Sequence, residues 1–160
     1  MSIEKVRAYF RPLGLEERIR ELEASSATVE LAALALGVDG ARIAKTLSFL
    51  VGDRCILIVT AGDARIDNHK YKARFGVKAK MPAHDGVPEY TGHAVGGVCP
   101  FACKEGVSVY LDESLKRFRT VFPACGSANS AIELTIPELE QYSGCDEWVD
   151  VCKDWQAASE

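Results

Sequence analysis

Ile3, Val6, Tyr9 and Phe10 recur at the spacing of one helical face, and Pro12 and Gly14 close that segment. Residues 18–22 read as a short strand. Ser25 and Ser26 are capping residue types ahead of Val29, Ala32, Ala33 and Leu36, which share one helical face ended by Gly37. Asp39 is read as the cap of a second short helix ending near Lys45. Residues 46–51 and 54–60 form two β-rich runs joined at Gly52-Asp53, a hairpin signal. The unbroken apolar run from Ile56 to Val59 predicts a strand covered on both faces. Asp67 caps a helix to Phe75 that Gly76 stops. Residues 77–81 are a strand candidate, 82–90 a short helix and 93–101 a loop. Further strands are expected over 107–111, 120–124 and 131–135. Pro137 suits the first turn of a helix reaching Tyr142. Trp148, Val151, Cys152 and Trp155 suggest a last amphipathic helix.

Strands outnumber helices and do not alternate with them, so the fold class is mixed α/β of the α+β kind. Neither a phosphate-loop nor a dinucleotide glycine pattern is present. At 160 residues the chain is expected to be one domain, long enough for a core without staples. Its hydrophobic fraction of 48% suits a soluble globular protein. The charged start and the lack of a long apolar run predict no leader and no membrane span, hence a cytoplasmic protein. Six cysteines in that compartment are read as free thiols. A net charge of −4 excludes bulk attraction to nucleic acid, so any such contact needs a local patch.

Four features could carry chemistry. Lys45, flanked by Ile43 and Leu47 where a helix hands over to a core strand, is positioned for desolvation and a lowered pKa. In 95–101, Gly96 and Gly97 allow close backbone approach to a ligand, and Pro100 stiffens the loop. Each feature also has a plain structural reading, a snorkelling lysine and a tight turn. Cys99, Cys103, Cys145 and Cys152 are spaced too widely in the second pair for a typical zinc site, and no metal or other cofactor is expected. Cys99 as a nucleophile would need a base, with His93 the near candidate. Residues 65–80 hold Arg65, Lys70, Lys72, Arg74, Lys78 and Lys80 against one acid, Asp67. That segment is a candidate phosphate-contacting face, with Lys70, Lys72 and Arg74 at its centre.

The order of these features resembles the YbaK/ProX family, freestanding relatives of the editing domain inserted in bacterial prolyl-tRNA synthetases. The resemblance spans about residues 26–144. It runs through Ala27-Thr28-Val29-Glu30-Leu31, Ile43-Ala44-Lys45-Thr46-Leu47, Ile58-Val59-Thr60-Ala61-Gly62-Asp63, Thr91-Gly92-His93 with Gly96-Gly97-Val98-Cys99-Pro100, and Cys125-Gly126-Ser127 with Ile132 to Leu139. It implies a barrel-like, mixed and largely antiparallel sheet surrounded by helices. It also implies a hydrolase that deacylates mischarged aminoacyl-tRNA without a metal, working on tRNA-Pro or a related tRNA carrying a small amino acid.

Carried onto this chain, the resemblance makes Lys45 and Gly97 catalytic. It places Thr28, Thr46, His93, Gly96, Cys99, Pro100 and Gly126 around the substrate. An aminoacyl-tRNA synthetase is an implied partner. The chain departs from the pattern at Cys99, where relatives often have Ser or Thr, and at His93, where they often have Tyr. It departs again after Gly126, where a basic pair is replaced by Ser127-Ala128. That last change motivates the alternative of a non-catalytic tRNA- or amino-acid-binding module. A Cys99-dependent hydrolase is the third reading.

Overall fold

The computed structural model describes residues 2–23 and 28–155. Its centre is the hairpin β2 (Ile43–Val51) and β3 (Arg54–Ala61), turned at Gly52 in the left-handed region that favours glycine. The hairpin is antiparallel with Lys45 opposite Thr60. Ile56, Leu57, Ile58 and Val59 are fully buried, as the continuous apolar run requires of a central strand. β5 (Ser108–Asp112) lies parallel on β3, and β9 (Glu147–Val149) parallel on β5. On the other flank β6 (Thr120–Pro123) runs parallel to β2, and β8 (Leu134–Thr135) antiparallel to β6. The six strands, in the order β8-β6-β2-β3-β5-β9, curl into a mixed half-barrel with helices around it. Two small antiparallel pairs complete the strands: β1 (Arg20–Glu21) with β7 (Ser130–Ala131), and β4 (Arg65–Ile66) with β10 (Cys152–Lys153).

Helices close the core. α1 (Ser2–Phe10) buries Val6 and Phe10, and the Phe10 ring meets Phe101 edge-on at 4.9 Å. α3 (Asn68–Phe75), capped by Asp67, inserts Tyr71 against Phe49 at 5.1 Å. α5 (Ile136–Ser143) starts with a capping box between Thr135 and Glu138 and buries Leu139. α2 (Val29–Leu36) seats Ala32 and Leu36 in a smaller cluster with Ile43, Phe122 and Ala131.

Several local expectations change. The α2 cap is Thr28, whose hydroxyl accepts from Leu31 N at 3.1 Å; Ser25 and Ser26 lie outside the described residues. Asp39 caps only a 3-10 turn, Gly40–Arg42, because pairing with β3 and β6 claims the backbone from Ile43 onward; Lys45 is therefore a strand residue. Residues 77–81 form no strand, and their link to β2 is Leu50 N donating to Lys80 O at 2.7 Å. Residues 82–90 give a 3-10 turn, His84–Gly86, and then α4 (Val87–Thr91). Residues 131–135 split between β7 and β8, which pair in different sheets. The tail is not helical. Sheet edges on β5 and β4 capture it, and Val151 N donates to the buried Asp112 carboxylate at 2.9 Å. Four spaced apolar residues suit a strand as well as a helix, and the free edges decided the outcome.

One close approach sets how α2 sits on the hairpin. Gly62 lies so near the turn after α2 that a Cβ there would fall 2.0 Å from Gly40 O and 2.9 Å from a Val29 methyl. Backbone cannot move as a side chain tip can. Gly62→Ala is therefore expected to cost about 3 kcal/mol or more, measured by denaturant unfolding. Gly52→Ala, with open space around it, is expected to cost only about 1 kcal/mol of left-handed backbone strain. Equal losses at the two sites would overturn the account.

Candidate active site

β2 and β6 pair over only two residues, Ile43 with Phe122 and Ala44 with Pro123. Pro123 has no N–H with which to extend the ladder, and the chain turns away after it. The strands part, and a cleft of about 450 Å³ opens between them. Its floor and walls come from β2 (Ile43 through Ser48), from α2 and its cap (Thr28, Val29, Ala32), and from the end of β6 (Phe122, Ala124). β7 adds Ser130 and Ala131, the approach to α4 adds Met81, Pro82, His84 and Val87, and the following loop adds Val95, Gly96 and Val98. The lining is mainly apolar and contains no carboxylate among the described residues.

Lys45 projects into this space half-buried and forms no ion pair among the described residues. Burial lowers its pKa; Cys152, Asp63 and Glu30 partly oppose the shift, and Arg65 adds to it. The adjacent Thr46 hydroxyl is buried with no hydrogen-bond partner. Such a group loses its water bonds and costs about 1–3 kcal/mol unless something supplies a replacement. The cleft therefore offers a cation with no ion pair among the described residues, set against apolar walls; the Thr46 hydroxyl beside it is shut off from solvent.

The glycine loop is held from behind. Gly97 N donates to Ala94 O at 2.9 Å, so that amide closes the turn. A Cβ on Gly97 would meet the Gly126 carbonyl carbon at 2.7 Å and Ser127 N at 2.8 Å. Gly97 thus sits back to back with the 126–127 peptide and does not line the cleft, whereas Gly96 does. Because Gly96 has no side chain, it presents backbone there.

The His93 ring is buried beneath this loop, with Nε2 2.7 Å from Phe101 O. A carbonyl only accepts, so Nε2 is the protonated nitrogen. Cys99 Sγ lies 3.6 Å from the same nitrogen. The two residues do meet, but the nitrogen facing the thiol already carries a proton and has no site to take another. The Cys99 thiol is fully buried, and its burial pushes its pKa far up. Burial also lowers the His93 pKa. This is a loop anchor, not an activated nucleophile.

The residues singled out in the sequence thus divide. Lys45, Thr28, Thr46 and Gly96 line the cleft; Gly97, His93, Cys99, Pro100 and Gly126 lie outside its lining. Lys70 pairs with Asp150 at 3.1 Å, and Arg74 pairs with Glu147 and lies over the Phe75 and Tyr110 rings. Lys72 has no ion pair among the described residues. The six cysteines are free, and no cluster of three or more His, Cys, Asp or Glu side chains forms among the described residues. Sequence reasoning missed Phe122, Ser130, Val95, Met81 and His84. Met81 lies in the segment read as a strand candidate and Val95 in the loop already singled out, so neither carries a signal of its own; both are exposed, at 55% and 44%.

Residues 23–142 match the aminoacyl-tRNA editing domain family. The Bacillus subtilis (strain 168) protein YwhH, itself uncharacterised, is 57% identical over 157 residues, covering 98% of this chain and all of that one. Among solved structures, a candidate trans-editing enzyme for prolyl-tRNA synthetase superposes with a TM-score of 0.85 at 28% identity, covering 96% of this chain and 98% of that chain. The hypothetical protein APE2540 superposes at 0.82 with 29% identity, covering 93% of this chain and 99% of that one. The half-barrel is the fold that these solved structures share. The chain belongs to the aminoacyl-tRNA editing domain family. No helix among the described residues is long and apolar enough to cross a membrane.

Two outcomes check the geometry of the site. Gly97→Ala is expected to destabilise the protein by about 1–3 kcal/mol, because backbone opposes the new methyl; unchanged unfolding would show the two loops are not in contact. Thr46→Val keeps the shape and removes the orphan hydroxyl. It is expected to leave the melting temperature unchanged or raise it. A clear fall would mean that the hydroxyl has a protein partner.

Proposed function

We propose that the chain is an aminoacyl-tRNA deacylase. It hydrolyses the ester that links a small, uncharged amino acid to the 3′ end of tRNA-Pro or a related tRNA. The carrying observation is Lys45, a half-buried ammonium with no ion pair among the described residues, in an apolar cleft that none of their carboxylates lines. A desolvated cation of this kind is stabilised by an incoming anion or by developing negative charge. An aminoacyl ester on a phosphodiester chain supplies both. Family membership supports the same reading, and the likeness to a candidate trans-editing enzyme favours tRNA-Pro, with prolyl-tRNA synthetase as the implied partner.

The roles follow from placement. The apolar walls from Val29, Ala32, Phe122 and Ala131 take the amino-acid side chain, and their lack of carboxylates disfavours a cationic one. Water adds to the ester carbonyl carbon, and the oxyanion that forms is met by the Lys45 ammonium and the Gly96 backbone. The bond to the ribose oxygen then breaks, the proton from water passes to that oxygen, and free amino acid and tRNA leave.

The test is a panel of tRNA-Pro charged with alanine, serine, cysteine, threonine or proline. One small residue is expected to be released well above the buffer rate, with prolyl-tRNA spared. Binding without release of any of them would leave the non-catalytic module.

Lys45→Met is expected to lower turnover by about 10²-fold or more, the scale of losing one oxyanion donor. The same change removes a desolvated charge, so the melting temperature should hold or rise. Retained turnover in a folded variant would remove Lys45 from the mechanism. The pH dependence has a definite sign. The ammonium is lost as pH rises through a pKa below the ordinary 10.5. Turnover, corrected for spontaneous hydrolysis, should therefore decline on the alkaline side earlier than an ordinary lysine would dictate. Unfolded Lys45 holds its proton more tightly than folded Lys45, so its contribution to stability rises with pH over the same interval. A flat alkaline profile would count against the assignment.

A further inference from the structure

We infer that the groove between α3 and residues 78–79 is the track for the sugar–phosphate backbone of the RNA strand whose end enters the cleft. The inference rests on the deacylase reading for the identity of the strand, and on its own observations for the location. Residues 65–80 look uniformly basic in the sequence, but the structure sorts them. Lys70 and Arg74 are neutralised by Asp150 and Glu147. Lys72, Lys78 and Lys80 are exposed and form no ion pair among the described residues.

Lys72 and Lys78 line one groove of about 750 Å³ together with His69 and Asn68, and no carboxylate faces it. In a chain of net charge −4, a polyanion is repelled overall and can settle only where cations are unpaired. This groove meets that condition.

Its position makes the link to the active site. Lys80 O accepts the hydrogen bond of Leu50 N at 2.7 Å, which pins the segment along the edge of β2 beyond the point where β6 leaves it. Met81 and Pro82, the next two residues, line the catalytic cleft. Consecutive Cα atoms are about 3.8 Å apart, so Lys80 bridges the groove residues 78–79 and the cleft residues 81–82 within a few ångströms of each. A strand with its aminoacylated end beside Lys45 would pass these three ammonium groups in order. They carry no base-reading geometry, so they hold the backbone and leave the choice of tRNA to other contacts.

The experiment measures binding of fluorescently labelled, uncharged tRNA from 0.05 to 1 M salt, without reference to turnover. Each phosphate contact on a single strand contributes about 0.7 to the log–log salt slope. The Lys72→Ala/Lys78→Ala/Lys80→Ala variant should therefore show a slope smaller by about 2. Its binding should be about 100-fold weaker near 0.1 M salt and converge on wild type near 1 M. The matching Arg variant should bind as wild type does. A comparison variant, Lys5→Ala/Lys116→Ala/Arg119→Ala, removes the same charge outside the groove and should change binding much less. Wild-type affinity and slope in the Lys72/Lys78/Lys80 variant would overturn the inference, as would an equal loss in the comparison variant. Wild-type protein that binds tRNA through these lysines but releases no amino acid would instead sink the deacylase reading and leave the groove standing.

Discussion

The candidate active-site cleft depends on β2 and β6 ceasing to pair after two residues. Parallel strands normally continue to exchange hydrogen bonds until one of them ends. Here Pro123 stops the ladder on one side while β2 runs on to Val51 against β3. The hairpin holds β2 from Ala44 to Val51 against a β3 that is buried from Cys55 to Ala61. The departing chain has to turn through Ala124 and Gly126, and the glycine loop from 95 to 98 leans on that turn through Gly97. α2 closes the third side, seated by the Gly62–Gly40 contact. The cleft is thus a consequence of where one proline stands in a sheet, and the other elements are packed to keep it open.

Inside that cleft the protein gives up stability. A half-buried ammonium without a counter-ion and a buried hydroxyl without a partner are both unfavourable in the folded state. Two other buried polar atoms among the described residues, the Tyr71 hydroxyl and Trp155 Nε1, also lack a hydrogen-bond partner, whereas other buried polar groups are satisfied. Asp112, though fully buried, accepts from Ser114 N and Val151 N at 2.9 Å each. Thr91 exchanges bonds with Val87 O and His93 N. Orphan polar atoms thus occur outside the cleft as well; what sets the cleft apart is the half-buried Lys45 ammonium facing apolar walls. The removal of that ammonium should therefore separate activity from stability, which a purely structural role would not do.

Much of this was legible in the residues. Continuous apolar character at 56–59, the Gly52-Asp53 turn and the Asp67 and Pro137 helix starts each rest on local chemistry that tertiary structure did not override. Lys45 was legible as desolvated because Ile43 and Leu47 flank it. What misled were signals with two physical solutions. Trp148, Val151 and Cys152 fit a helix or two short strands, and only the free edges of β5 and β4 settle which. Gly97 carries the sequence signature of ligand approach, yet its missing side chain makes room for another backbone. His93 and Cys99 are adjacent in space as a catalytic pair would be, but the hydrogen bond to Phe101 O places the proton on the wrong nitrogen for that chemistry. The cleft walls from β6, β7 and α2 come from segments about 90 residues apart, a distance that no local pattern spans.

The charge pattern shows the same limit from the other side. Counted along the chain, residues 65–80 form one basic block. In space the helix face that carries Lys70 and Arg74 meets the acidic ends of the C-terminal strands, and those two cations hold Asp150 and Glu147 in place. The ion pairs are partly exposed and contribute little to stability. Their consequence is electrostatic. They cancel the block at Lys70 and Arg74 and leave Arg65, Lys72, Lys78 and Lys80 without an ion pair among the described residues. Charge neutralised by Asp150 and Glu147 is lost to a ligand, whereas Lys72 and Lys78 stay without an ion pair among the described residues along one groove, which is what the proposed RNA track needs.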